Sequence, residues 1–209
     1  SSGSIINNKI LFISQKPDFR APASSYIIHD RLGLGKNCLC LDINLACSGF
    51  IVALHTIHTL LDNSDAQKAL LITADTSHKT LSPFDKTMIM LFGDSGSAIL
   101  LDKTNNNIKS HFTIKTDGQR FKSIITPSGA YRNTSGLKER VAWSDGILRS
   151  DYDTHMKGMD VFEFSITHLL QDNVRFTVAL VTSAFVAPPL FVSTIVDSTV
   201  CLIDSINIT

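Results

Sequence analysis

Net charge, cysteine and a targeting segment are what this sequence has little of. Nineteen Lys and Arg residues offset nineteen Asp and Glu across 209 residues, so no global field draws the chain to nucleic acid or an anionic membrane. Four cysteines are too few for a disulfide scaffold. Cys38, Cys40, Cys47 and Cys201 show no C-x-x-C spacing, which points to no metal site and suits a reducing, cytoplasmic setting. The opening Ser1-Ser2-Gly3-Ser4 has no basic stretch and no cleavage site, so it does not read as a signal peptide. It is expected to be a cloning remnant or the interior of a longer protein. No repeat recurs at solenoid periods.

What is present is apolar. Hydrophobic residues make up 44% of the chain and charged ones 18%, enough for the core of one large domain or two small ones and too apolar for disorder. Residues 176–196 carry no formal charge and reach the length of a membrane span. Pro188-Pro189 and several Ser and Thr residues interrupt them, so buried strands are the expectation and no membrane association is read.

Strand-length apolar runs alternate with helical periods. Lys9–Ser14, Asn37–Leu45, Lys68–Ala74, Ser97–Asp102 and Ile108–Thr116 read as strands, the second buried on both faces. Ser24–Leu32 reads as a helix stopped by Gly33 and Gly35. Phe50, Ile51, Ala53, Leu54, Ile57, Leu60 and Leu61 follow i, i+3, i+4, i+7 spacing, the mark of a helix with one buried face. Met156–Leu170 repeats that character, and residues 117–155 read as polar loop. The alternation predicts an α/β protein.

The informative point is Ala46-Cys47-Ser48-Gly49, where a strand gives way to a helix. A thiol at a helix N-terminus faces unpaired N–H groups and the positive end of the helix dipole, which favour the thiolate. Gly49 permits close backbone approach. Such an elbow presents sulfur at the mouth of a pocket with N–H groups near enough to hold an oxyanion. The plain alternative is a small buried hydrophobe.

The run Asp42-Ile43-Asn44-Leu45-Ala46-Cys47-Ser48-Gly49-Phe50 resembles the nucleophile motif of the β-ketoacyl-[acyl-carrier-protein] synthase III family, condensing enzymes of thiolase-like fold. Further segments match in order: Pro17–Ser24, His29–Leu34, Leu91-Phe92-Gly93-Asp94-Ser95-Gly96-Ser97-Ala98 against the family's F-G-D-G-A-G-A, and Met156–Phe164 against its M-x-G-x-x-V-F. The resemblance implies most of the N-terminal βαβαβ half over residues 1–155, the start of the C-terminal half over 156–173, and an unaligned tail, 174–209, either truncated, frame-shifted or divergent.

It also implies chemistry. Cys47 would accept an acyl group from acyl-CoA and pass it to the enolate formed by decarboxylation of malonyl-carrier protein, with no cofactor and no metal, in a cytoplasmic homodimer of fatty-acid synthesis. Ala21 would lie on the loop reaching a partner's acyl pocket, where a small residue leaves room for a medium or branched primer. Lys86 would stand near the CoA entrance or be an ordinary surface lysine. Phe92 would contact substrate, and Gly93, Asp94 and Gly96 would shape a turn beneath the site.

The sequence departs from the family at its second half. His168 is the last histidine, and the H-Q-A-N segment and later asparagine that polarise the malonyl thioester have no match after it. The chain alone is therefore expected not to condense. A non-decarboxylating acyltransferase of the same family and a catalytically silent subunit remain as alternatives. His55 and His58 sit at i, i+3 but offer too few ligands for zinc; His29, His78, His111 and His155 carry no motif and are expected to be solvated, and His168 is expected on the surface of the helix after Phe164.

Overall fold

The computed structural model describes residues 8–103, 112–170, 195–196 and 199–203. Strands β1 (Asn8–Ile13), β2 (Cys38–Ile43), β3 (Lys68–Thr76) and β4 (Asp94–Asp102) make one sheet in the spatial order β2-β1-β3-β4. β1 runs parallel to β2 and to β3, and β4 returns antiparallel along β3. Helices α1 (Ser24–Arg31) and α2 (Gly49–Asp62) supply the two crossovers. The α/β expectation holds, and β1-α1-β2-α2-β3 has the βαβαβ order that the resemblance implies.

The apolar period after Cys47 does what its spacing demands. Ile51, Ala53, Leu54, Ile57 and Leu61 are buried, and most of them join Leu11, Ile13, Ala69 and Leu71 of the sheet in one core cluster. Burial of this kind stabilises by about 1.5–3 kcal/mol per large aliphatic side chain. α1 stops where expected: Gly33 adopts φ +60°, a left-handed position that costs glycine nothing.

Asp42 ties the two layers together. Its carboxylate accepts the backbone N–H groups of Ser24 at 2.7 Å and Ser25 at 2.9 Å, so a side chain on β2 satisfies the orphan donors opening α1. Strand and helix are thereby fixed just before the chain reaches Cys47.

Several expectations are corrected. β2 lies at a sheet edge and is only half covered, with Leu39 41% and Leu41 38% exposed; a continuous apolar run alone cannot separate a central strand from an edge. Asp94-Ser95-Gly96 belongs to β4 instead of a turn, with Gly96 paired to Ala74. Its pairing with β3 continues to Thr76–Asp94 because the small residues let the two backbones meet. Residues 86–89 form a one-turn helix, α3 (Lys86–Ile89), stabilised by a cap the apolar pattern does not reveal.

Beyond the sheet, β5 (Phe112–Thr116) is followed by β6 (Ile124–Ile125), β7 (Val141–Ala142), β8 (Leu148–Arg149) and β9 (His155–Met156). β6 pairs with β9 and β7 with β8, so the polar stretch 117–155 is folded into short ladders. Helix α4 (Gly158–Leu170) follows. β10 (Ile195–Val196) and β11 (Thr199–Ile203) form an antiparallel pair, and β11 lies antiparallel to β5. Within the tail read as unaligned, β11 is thus paired with β5. The apolar run 176–194 lies outside the described residues, as does His111.

Candidate active site

β1, β2 and β3 are parallel, so their carboxyl ends converge on one side of the sheet. After β1 the chain turns toward β2; after β2 it crosses back to β3 on the other side of β1. The crevice at such a switch point is where open α/β sheets bind ligands. A cavity of about 330 Å³ lies there. Ile13, Gln15 and Lys16 line it from the end of β1, and Thr73, Ala74 and Asp75 from the end of β3.

Ala46, Cys47 and Phe50 line the same cavity from the elbow after β2. Cys47 is half-buried and directly precedes Ser48, the N-cap of α2. The turn is closed by the Gly49 N–H donating to the Ala46 carbonyl at 2.8 Å and the Val52 N–H to the Ser48 carbonyl at 3.1 Å. Gly49 is required by proximity: a Cβ there would stand 2.5 Å from Ile13 Cγ2. The elbow therefore packs directly on the end of β1.

The far wall comes from later segments. Ser77, Thr80 and Leu81 contribute from the stretch leading into α3, Met88 from α3 itself, then Phe92 and Gly93, and Thr154 and Met156 from around β9. Asp75 is held as a wall residue, its carboxylate accepting the Ser14 hydroxyl at 2.8 Å and the Gln15 N–H at 2.9 Å. The exposed surface of the enclosure is mainly apolar, with Lys16, Asp75 and several Ser and Thr residues set among the aliphatic and aromatic ones, which suits an acyl chain with one reactive end.

The other two described thiols differ from Cys47 in setting. Cys38 and Cys40 lie on the edge strand β2, away from this cavity. Burial pushes the Cys40 thiol up to about 11, helped by the neighbouring Cys38 and the charge of Asp42. Burial also raises Cys38. Both stay protonated at neutral pH, although they are half-exposed instead of covered.

The remaining sequence candidates separate by position. Phe92 and Gly93 reach the cavity wall. Lys86 is exposed at the start of α3 and Ala21 is exposed on the loop after β1, neither on the cavity lining. Gly96 serves strand packing, since a Cβ there would lie 3.3 Å from Ala74 Cβ.

His78 is exposed but not unpartnered: its N–H donates to Asp94 at 3.0 Å and its ring contacts the same carboxylate. His55 and His58 flank the Phe112 ring, His29 contacts the Gly35 carbonyl, and His155 stacks on Trp143. No cluster of three or more His, Cys, Asp or Glu residues able to hold a metal exists among the described residues. No helix among them is long and apolar enough to cross a membrane.

One assembly was missed. Arg149 and Asp85 are fully buried and paired, with Asp145 on the other side of the guanidinium. Asp145 and Arg149 meet in the hairpin between β7 and β8, and Asp85 lies 64 positions away from Arg149, so neither pairing had a sequence signal.

The profile of the family described as 3-Oxoacyl-[acyl-carrier-protein (ACP)] synthase III matches residues 41–118. A protein of Clostridium perfringens named beta-ketoacyl-[acyl-carrier-protein] synthase III is 32% identical over 167 residues, covering 79% of this chain and 48% of that one. A crystal structure of a 3-oxoacyl-(acyl-carrier-protein) synthase III superposes with a TM-score of 0.74 at 29% identity, over 80% of this chain and 52% of the other. A 3-oxoacyl-(acyl-carrier protein) synthase from Burkholderia xenovorans gives 0.70 at 32% identity, over 78% and 46%. The chain spans about half the length of the relatives it matches. Over these matched residues, with its thiolase-like sheet and its cysteine elbow, the chain belongs to the 3-oxoacyl-[acyl-carrier-protein] synthase III family.

Proposed function

We propose that this chain carries the acyl-accepting part of a 3-oxoacyl-[acyl-carrier-protein] synthase III-type condensing enzyme, with Cys47 as the nucleophile. One observation carries the reading: the sulfur-bearing residue at the start of α2 opens into a largely apolar cavity at the carboxyl ends of three parallel strands. The Cys47 thiolate attacks the carbonyl carbon of an acyl-CoA thioester. The tetrahedral oxyanion collapses, the carbon–sulfur bond to CoA breaks, and CoA leaves as its thiolate, leaving an acyl-Cys47 thioester. N–H groups at the start of α2 would share the oxyanion's charge.

In the complete reaction, malonyl-carrier protein would lose carbon dioxide and its enolate would attack that thioester, releasing the Cys47 thiolate and a 3-oxoacyl-carrier protein. Among the described residues, the cavity lining holds neither a histidine nor an asparagine. This favours a chain that loads Cys47 without completing condensation. No cofactor is needed for either step. Acyl-CoA and acyl-carrier protein are the partners this chemistry asks for, in the cytoplasm. Homodimerisation is part of the same reading and is supported by the half-exposed Leu39 and Leu41 on edge strand β2.

Mixing the chain with acyl-CoAs of graded length and following free CoA thiol tests the reading. A burst approaching one equivalent per chain, without turnover and absent in Cys47→Ala, is expected. No burst with any acyl-CoA would refute it. Continued release of 3-oxoacyl product on adding malonyl-carrier protein would refute the restriction to loading.

A further inference from the structure

We propose that Arg149 is a positioning residue: through Asp85 it fixes the short helix that brings Met88 into the wall of the Cys47 cavity, and so sets which chain lengths reach the sulfur. Its biological meaning rests on the reading of Cys47 as acyl acceptor; its geometry does not.

α3 is four residues long, too short to recover the cost of nucleating a helix. It is held from outside. Asp85, at 0% exposure, accepts the Thr87 N–H at 3.1 Å and the Thr87 hydroxyl at 2.6 Å through one carboxylate oxygen. Its backbone carbonyl accepts the N–H groups of Met88 at 3.1 Å and Ile89 at 2.9 Å. The second carboxylate oxygen takes the Arg149 Nε at 2.7 Å and Nη2 at 2.6 Å.

The other side of the guanidinium is also spoken for. Nη1 donates to both oxygens of Asp145, at 2.9 and 2.7 Å. Trp143 lies 5.5 Å from the guanidinium carbon and donates its indole N–H to the Arg149 carbonyl at 3.1 Å. Two further ties run alongside: the Ser82 hydroxyl to the Leu148 carbonyl at 2.6 Å, and the Thr154 N–H to the Thr80 carbonyl at 2.7 Å. The network thus joins the segment placing Thr80, Leu81 and Met88 on the cavity to the segment placing Thr154 there.

A planar guanidinium can serve two carboxylates at once, whereas an ammonium is a point charge without that fork. Arg149→Lys keeps the charge and loses the geometry. Met88 is 1% exposed, and its long flexible side chain fills whatever space its backbone allows. Releasing α3 therefore changes the depth available beside Cys47.

Alkylation of Cys47 by iodoacetamide and by its N-octyl analogue, quantified on the Cys47 peptide by mass spectrometry, reads that depth whether or not the protein acylates itself. Arg149→Lys is expected to change the ratio of the two rates at least threefold. Ile57→Val, a mild core change outside the cavity lining, should lower both rates together or neither. If Arg149→Lys does not fold by circular dichroism, Asp145→Asn loosens only the exposed carboxylate and should move the ratio the same way by less.

An unchanged ratio in the folded variant, or an equal change in Ile57→Val, would overturn the proposal. Loading with acetyl- and octanoyl-CoA on the same proteins reports separately on the acyl-acceptor reading. A parent chain that never loads would sink that reading while the alkylation ratio still decides on Arg149.

Discussion

Gly49 sits against Ile13 so closely that a Cβ on the glycine would come within 2.5 Å of the isoleucine Cγ2 and 3.2 Å of the Leu45 Cβ. The elbow bearing Cys47 is seated on the end of β1 by this missing side chain. Gly49→Ala is expected to destabilise the fold by about 1–3 kcal/mol, the usual cost of forcing extra carbon into a packed site. Urea denaturation checks it; a variant as stable as the parent would mean the elbow is not seated where described. Removing the clashing atom in Gly49→Ala/Ile13→Leu, which takes away the Cγ2 methyl while keeping the side-chain volume, should recover part of the loss.

Thiol reactivity offers a second test. At neutral pH, Cys47 is expected to react with iodoacetamide faster than Cys38 or Cys40, because the helix N-terminus favours a thiolate and the strand thiols hold their protons. Labelling of Cys40 should accelerate as pH rises toward about 11. Equal labelling of all three in the folded chain at pH 7 would contradict the assignment. The same comparison extends to Cys201.

Acid should unfold the chain in two stages. Burial and the Arg149 charge hold His155 below its ordinary 6.5, so the unfolded chain binds that proton first and stability begins to fall as pH drops through 6.5. Burial raises the Asp85 carboxyl, but hydrogen bonds from Thr87 and Arg149 outweigh it and leave it below its ordinary 3.8. Asp153 behaves alike through Arg140 and Ser150, and the Arg149 hydrogen bond lowers Asp145. Their contribution is complete above 3.8 and is lost as pH falls through the lowered folded values. Denaturation midpoints from pH 8 to 3 should follow that order, and Asp153→Asn should flatten the lower stage. A midpoint constant down to pH 3 would contradict it.

Self-association is expected of the isolated chain. Among the described residues β2 and β4 are the outer strands of the sheet; β2 leaves Leu39 and Leu41 half-exposed, and Leu100 on β4 is 59% exposed, so both margins present apolar side chains. Light scattering should report dimers and larger species. A monodisperse monomer stable for days would contradict both the dimer reading and the sticky edges.

What the sequence revealed, it revealed through periods and motifs. α2 was legible because Ile51, Leu54, Ile57 and Leu61 fall on one helical face, and the elbow because an ordered set of family segments surrounds Cys47. The edge position of β2 was not legible, since burial depends on what lies beside a strand and not on its own residues. Asp42 capping α1 and Asp85 clasping Arg149 were equally hidden: each links positions far apart in sequence, and a lone aspartate gives no hint of its partner. The family resemblance implies a turn at Gly96, whereas here the residue allows β4 to approach Ala74.

The acyl group itself can be located on the chain. After brief exposure to an acyl-CoA, the chain is digested under mildly acidic conditions and the acyl mass is mapped among the cysteine-bearing peptides, with neutral hydroxylamine used to identify thioesters. A hydroxylamine-labile acyl group is expected on Cys47, absent from Cys38 and Cys40 and lost in Cys47→Ala without loss of the fold. An acyl group spread over all three thiols, or retained in Cys47→Ala, would contradict Cys47 as the acyl acceptor.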